Sequence, residues 1–313
     1  MKITVLDSGT LGDDIVLDMI TALGDTEVYK ETAPEQVAER IIDSEVVILN
    51  KIKLNEINLS GCKNLKLICV TATGYDNIDI EYCKNNGIAV CNVAGYSSGS
   101  VSQVTVATVL SLACHLTEYD RFSKSGEYST CGKFNSVSPV YHELDGRTWG
   151  IVGYGDIGKR VAAVAEALGC RVIYTRNTPD EKSVTIEKLL EESDIITLHV
   201  PLTDKTRNMI SRERLALCKK KPVIVNASRG AVWDEEAVTD AVLDGTLSAL
   251  GTDVYSVEPL QKSSPFTRLF ECDNVILTPH MAWGAYESRI RCMDEIAENI
   301  KSFYSGGNRG RIV

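Results

Sequence analysis

The chain has 313 residues, 44% of them hydrophobic, and a formal net charge of −10. That length suits one large domain or two medium ones, with enough apolar surface to fold without disulfides or a structural metal. The acidic balance argues against nucleic-acid binding and against an anionic membrane surface.

Met1 to Asp7 reads as a strand, not as the long apolar core of a secretion signal. No apolar stretch reaches the roughly 20 residues of a membrane helix. Ten cysteines without a Cys-x-x-Cys pair read as reduced thiols, so a cytoplasmic protein is expected. His115, His142, His199 and His280 lie too far apart for zinc spacing, and no metal is expected.

Short apolar runs then alternate with helical stretches. The first group is Ile3–Leu6, Val46–Leu49, Leu67–Val70 and Ala89–Asn92. Residues 98 to about 119, rich in Val, Ala and Leu, predict one long helix, apolar nearly all round and therefore buried, at a domain junction or a subunit interface. Ser123 to Glu143 reads as an irregular loop. A second group follows: Thr148–Val152, Arg171–Tyr174, Ile195–Leu198, Val223–Asn226, Ser248–Asp253 and Val275–Thr278. Ala285 to Tyr304 predicts a last helix. Short, nearly continuous apolar strands separated by helices are what parallel sheets covered on both faces require. The expected fold is α/β, with two doubly wound parallel-sheet domains.

Gly153-Tyr154-Gly155-Asp156-Ile157-Gly158 directly follows a predicted strand and opens a helix at about Lys159–Leu168, the setting that a dinucleotide fingerprint demands. The first glycine permits the tight turn, the second lets backbone approach a pyrophosphate, and the third lets helix and strand pack closely. Unpaired N–H groups at the helix start then face the phosphates. An acidic residue about 20 positions on usually holds the ribose 2′-hydroxyl of NAD. Here that count falls at Thr175-Arg176-Asn177, which suits a 2′-phosphate instead, because Arg grips phosphate well. NADP is therefore slightly favoured over NAD. Three further segments, Asn226–Gly230, Asp253–Pro259 and Pro279-His280, each end a predicted strand. Ligands of open α/β sheets bind outside the carboxyl ends of strands, so Arg229, Glu258 and His280 are expected to converge.

These pieces, with Ala72-Thr73-Gly74-Tyr75-Asp76-Asn77-Ile78-Asp79 and His199-Val200-Pro201-Leu202-Thr203, match in order and spacing over essentially the whole chain. The sequence resembles the D-isomer-specific 2-hydroxyacid dehydrogenase family. Within it the resemblance is greatest to glycerate dehydrogenases, also called hydroxypyruvate reductases. The pointers are Gly95-Tyr96-Ser97, Val101-Ser102-Gln103 and His280-Met281-Ala282-Trp283.

The resemblance implies a Rossmann-type cofactor domain at about 98–284 and a flavodoxin-like substrate domain from 1–97 and 285–313, with substrate in the cleft between them. It implies that Arg229 binds the substrate carboxylate and keto oxygen, that His280 is the acid/base, and that Glu258 fixes the tautomer of His280. Thr73 and Gly74 would hold the carboxylate through backbone N–H groups, and Trp283 would line the pocket. Gly155, Asp156 and Ile157 would meet the pyrophosphate, alongside Gly153, Tyr154 and Gly158. Thr175 and Arg176 would face the ribose, and Pro201 and Thr206 the adenosine. Asp253 would meet the carboxamide, with Thr105, His199, Val200, Ala227 and Ser228 close to the dinucleotide. The expected reaction is NAD(P)H-dependent reduction of hydroxypyruvate or glyoxylate to D-glycerate or glycolate, by a homodimer that binds neither nucleic acid nor membrane. Another 2-keto acid substrate, or a dinucleotide-sensing corepressor-like role, are the alternatives.

Overall fold

The computed structural model describes all 313 residues, which divide into two compact units, Met1–Ser97 with Gly284–Val313, and Ser98–Trp283. The first unit is built on β1 (Lys2–Val5), β2 (Asp25–Val28), β3 (Val46–Leu49), β4 (Leu67–Val70) and β5 (Ala89–Cys91). All neighbours run parallel, in the order β2-β1-β3-β4-β5. Four of these strands are apolar and buried, whereas Asp25-Thr26-Glu27-Val28 is half exposed and carries two acids. That strand lies at the sheet edge, where one-sided pairing tolerates polar residues, and no apolar run announces it in the sequence. The opposite edge is closed by the C-terminal residues: Ile312 N donates to Val90 O and Val90 N to Val313 O. The helix Tyr286–Tyr304 packs on β4 within this unit and buries Cys292, Met293, Ile296 and Ile300.

The second unit holds β6 (Thr148–Val152), β7 (Arg171–Thr175), β8 (Ile195–Leu198), β9 (Val223–Asn226), β10 (Ala249–Thr252) and β11 (Val275–Leu277). Its order is β11-β10-β9-β8-β6-β7, again all parallel. Strand order reverses at β6, which has β7 on one side and β8 on the other. The crevice outside the carboxyl end of such a reversal is where open α/β sheets take ligands. One face of the sheet packs around Leu190, Ile196, Ile224, Trp233 and Leu250, the other around Val109, Trp149, Ile151, Val161 and Val225. Trp149 is fully buried, and its indole N–H reaches the Thr197 hydroxyl at 3.1 Å, so the polar atom is not stranded.

The helix expected over 98–119 is two helices, Ser98–Ala113 and Leu116–Lys124, bent by 64°. His115 stands at the break with φ 51 and its ring Nδ1 is 2.6 Å from Glu118. The first of the two buries Val101, Thr105, Val109 and Leu112, and it packs against the helix Asp156–Ala167 and against β9 and β10. A short helix, Glu127–Thr130, interrupts the segment expected to be irregular throughout. No single helix is long and apolar enough to cross a membrane.

Candidate active site

The glycine motif forms the turn between β6 and the helix Asp156–Ala167, which begins three residues earlier than the sequence suggests. The amides of Gly153 and Tyr154 both donate to Thr175 O, at 3.2 and 3.1 Å, pinning the turn to the end of β7. Gly153 has φ +100, and a Cβ there would stand 2.8 Å from His199 O, so both conformation and space require glycine. Gly158 packs in the first helical turn against Gly153 O, where a Cβ would meet the oxygen at 2.2 Å. Gly155 is different. It caps the helix without a side chain, and a Cβ there would meet nothing within 4 Å. The turn is therefore tight where backbone meets backbone and open where the helix start faces outward, with Asp156 and Ile157 beginning the helix. That open cradle at a 12-residue helix N-terminus fits a pyrophosphate.

His199 follows β8, and its amide donates to Val152 O at 2.7 Å. Both ring nitrogens are enclosed and have no hydrogen-bond partner in the protein. Burial pushes its pKa down to about 3, so the ring is neutral. Val200 packs on the core beside it. Thr206 turns inward on its own loop: its hydroxyl donates to Pro201 O at 2.6 Å and accepts from Thr203 N at 2.7 Å. Thr105, expected near the cofactor, is buried and donates to Val101 O in its own helix. Arg176 is held by Asp180 at 2.7 Å, a partner the sequence does not announce, because Asp180 sits in a polar loop that reads as solvated.

Three strand ends meet at the other part of the carboxyl edge. After β9, Asn226 folds the next turn: its carbonyl oxygen accepts from Ser228 N and Oγ, and its amide donates to Arg229 O. Ala227, Ser228 and Arg229 are all half-buried. Arg229 Nη1 donates to Ser228 O at 2.8 Å. Gly230 brings this turn against the loop after β10, where a Cβ would lie 2.0 Å from Tyr255 C. In that loop Tyr255 N donates to Glu258 Oε1 at 3.1 Å and the Tyr255 hydroxyl donates to Thr278 O at 2.9 Å. Tyr255 thus braces Glu258 and the end of β11 together, a role sequence reading misses.

Glu258 Oε2 and His280 Nδ1 are 2.7 Å apart, with 31% and 23% of their side chains exposed. A carboxylate only accepts, so Nδ1 carries a proton whether the ring is neutral or charged, and Nε2 is the ring nitrogen not bonded to Glu258. His280 has φ 53, an unusual conformation for a non-glycine residue. Asp253 fixes it: one carboxylate oxygen takes Thr278 Oγ1 (2.7 Å) and Met281 N (2.8 Å), the other Ala282 N (2.9 Å). Asp253, expected at the carboxamide, accepts three hydrogen bonds from the turn that carries the histidine. The Trp283 indole donates to His280 O at 3.0 Å. In the first unit, Thr73 and Gly74 follow β4. Thr73 Oγ1 donates to Val93 O, and Asn92 Nδ2 donates to Thr73 O.

An anchored arginine turn, a carboxylate–histidine pair and an open glycine cradle, all on one sheet edge, can bind an anionic carbonyl compound, deliver a proton to it and receive a dinucleotide. Comparison with known proteins agrees. Residues 106–282 match the family model for the D-isomer specific 2-hydroxyacid dehydrogenase, NAD binding domain. A glycerate dehydrogenase of Methylorubrum extorquens is 35% identical over 89% of this chain and 88% of its own. A hydroxypyruvate reductase of Blautia hydrogenotrophica is 34% identical over 98% of both. The D-lactate dehydrogenase of Aquifex aeolicus, solved with NAD and lactic acid, superposes with a TM-score of 0.85 at 29% identity, covering 98% of this chain and 96% of that one. The chain therefore belongs to the D-isomer-specific 2-hydroxyacid dehydrogenases, oxidoreductases that work with a nicotinamide dinucleotide.

Proposed function

We propose that this dehydrogenase reduces hydroxypyruvate to D-glycerate, and glyoxylate to glycolate, with NADPH slightly preferred to NADH. The observation that carries the acid/base assignment is the 2.7 Å contact between Glu258 and His280 Nδ1. With Nδ1–H held by the carboxylate, the ring as imidazolium gives its Nε2 proton to the keto oxygen in reduction, and the ring left neutral takes that proton back at Nε2 in the reverse direction. Arg229 holds the carboxylate and the keto oxygen through its planar fork. Reduced nicotinamide, when bound, supplies the hydride to the carbonyl carbon. The open start of the helix at Asp156 holds the pyrophosphate, and Arg176 faces the 2′-substituent. Trp283, tied to the His280 carbonyl, bounds the space in which the substrate carbon chain lies.

The relatives named for glycerate and hydroxypyruvate support that substrate over larger 2-keto acids. A cytoplasmic homodimer belongs to the same reading. Ten free thiols support the first part. The exposed apolar residues Leu116, Phe134, Val137, Val140 and Tyr141, gathered in one segment of the chain, support the second.

The test follows loss of reduced-nicotinamide absorbance with hydroxypyruvate, glyoxylate and a panel of larger 2-keto acids. Fast turnover with the first is expected. His280→Ala is expected to keep dinucleotide affinity and to lower kcat by roughly 10²–10⁴-fold. Rapid turnover only with a branched or aromatic keto acid would replace the substrate. Binding without turnover across the panel would favour a sensing role.

A further inference from the structure

Arg176 leaves β7 beside the glycine turn and donates through Nη1 to Asp180 Oδ2 at 2.7 Å. Asp180 is more than a surface counter-charge. Its carboxylate also accepts from the Tyr174 hydroxyl (3.0 and 3.1 Å), Lys182 N (3.1 Å) and Ser183 N (2.9 Å), and so closes the loop after β7. The Tyr174 ring lies flat on that of Tyr154 in the glycine turn, centroids 3.7 Å apart and planes 8° from parallel. Contacts therefore run without a gap from the glycine turn through Tyr174 and Asp180 to Arg176. The Arg176 guanidinium holds the Asp180 carboxyl down to about 2, so the pair is ionised at any working pH.

We propose that Asp180 is a specificity-determining residue: it offsets the charge of Arg176 and keeps the protein able to take a dinucleotide with either a 2′-hydroxyl or a 2′-phosphate. The inference rests on the reading that Arg176 faces the 2′ position. A lone arginine there attracts a phosphate strongly, because two charges of opposite sign meet in a planar fork. With Asp180 in contact with the same guanidinium, its repulsion of the phosphate offsets part of the attraction of the arginine. The phosphate must also compete with Asp180 for the guanidinium N–H groups. A neutral 2′-hydroxyl is indifferent to that balance and can donate to a carboxylate. Asp180 thus trims the advantage of the phosphorylated cofactor without abolishing it.

Calorimetric titration of the full chain with NADP⁺ and NAD⁺ tests this without turnover. Asp180→Asn keeps a carbonyl acceptor for the two loop amides and removes the charge. It is expected to tighten NADP⁺ by about tenfold, the scale of one charge contact screened by water, and to move NAD⁺ by less than about threefold. Arg176→Ala tests the underlying reading, and is expected to weaken NADP⁺ by about tenfold while sparing NAD⁺. If Arg176→Ala has that effect but Asp180→Asn leaves the ratio of the two affinities unchanged, the role of Asp180 is refuted and that of Arg176 stands. If Arg176→Ala changes neither affinity, the 2′ assignment fails and the proposal with it. Should Asp180→Asn lower the Tm, Asp180→Ser retains an oxygen for the loop amides and is read by the same two ratios.

Discussion

Burial keeps the His199 imidazole neutral, and that makes one residue a source of pH dependence. Its pKa is about 3 in the folded chain against an ordinary 6.5. Below the ordinary value the unfolded chain takes up a proton that the folded chain refuses. The stability contributed by the neutral ring is therefore complete above pH 6.5 and is lost as pH falls from there towards 3. Thermal unfolding between pH 7 and pH 4 is expected to show it: His199→Leu flattens the decline in Tm relative to the parent chain. Equal slopes for the two would mean that other groups carry the acid response. Asp253 and Asp180 show a second point at this scale. Each uses its carboxylate to hold a turn or loop that carries another candidate residue, His280 in one case and Arg176 in the other. The candidate residues can be picked out in the sequence, but the supporting hydrogen bonds join positions that only folding brings together.

Elements place the chemistry through their carboxyl ends. β9, β10 and β11 are consecutive neighbours in the sheet, so the three loops that follow them carry Arg229, Glu258 and His280 side by side. Gly230 is the joint between the first two loops, since a Cβ there would run into the Tyr255 backbone at 2.0 Å. Backbone cannot swing aside as a flexible side chain does. Gly230→Ala is therefore expected to destabilise the protein by about 2 kcal/mol or more, the upper range for overpacking. The same shift moves the arginine turn, and misplacement by about 1 Å costs on the order of 100-fold in kcat/KM. Unchanged melting together with unchanged kcat/KM would show that the turn tolerates the extra carbon. Ten of the eleven strands are legible as apolar runs because both sheet faces are covered. The exception, Asp25–Val28, lies at an edge, and its burial is too partial to leave a pattern.

For the whole molecule, the feature with most consequence is the apolar segment after the bend at His115. Phe134 is 94% exposed, and Leu116, Val137, Val140 and Tyr141 are also open to solvent. Several large apolar side chains in one stretch invite cover from a second copy of the chain. Phe134→Asp is expected to convert the proposed dimer to monomer in light scattering at micromolar concentration. A parent chain that is already monomeric, or a variant that stays dimeric, would remove this segment from the interface.

The amino-acid sequence by itself determined the α/β class, the glycine turn and the strand-end positions of Glu258 and His280. Each depends on short-range order: strand periodicity, a fixed spacing of glycines, or a polar residue at the end of an apolar run. Tertiary structure alone decided which partners those residues keep. Tyr255 braces Glu258, Asp253 holds the left-handed turn of His280, and Asp180 claims Arg176. The helix at 98 also ends at Ala113, where the chain bends at His115. These are contacts between loops or side chains. No periodicity encodes them, because what selects them is the need to satisfy buried charges and backbone groups once the sheet edges are assembled.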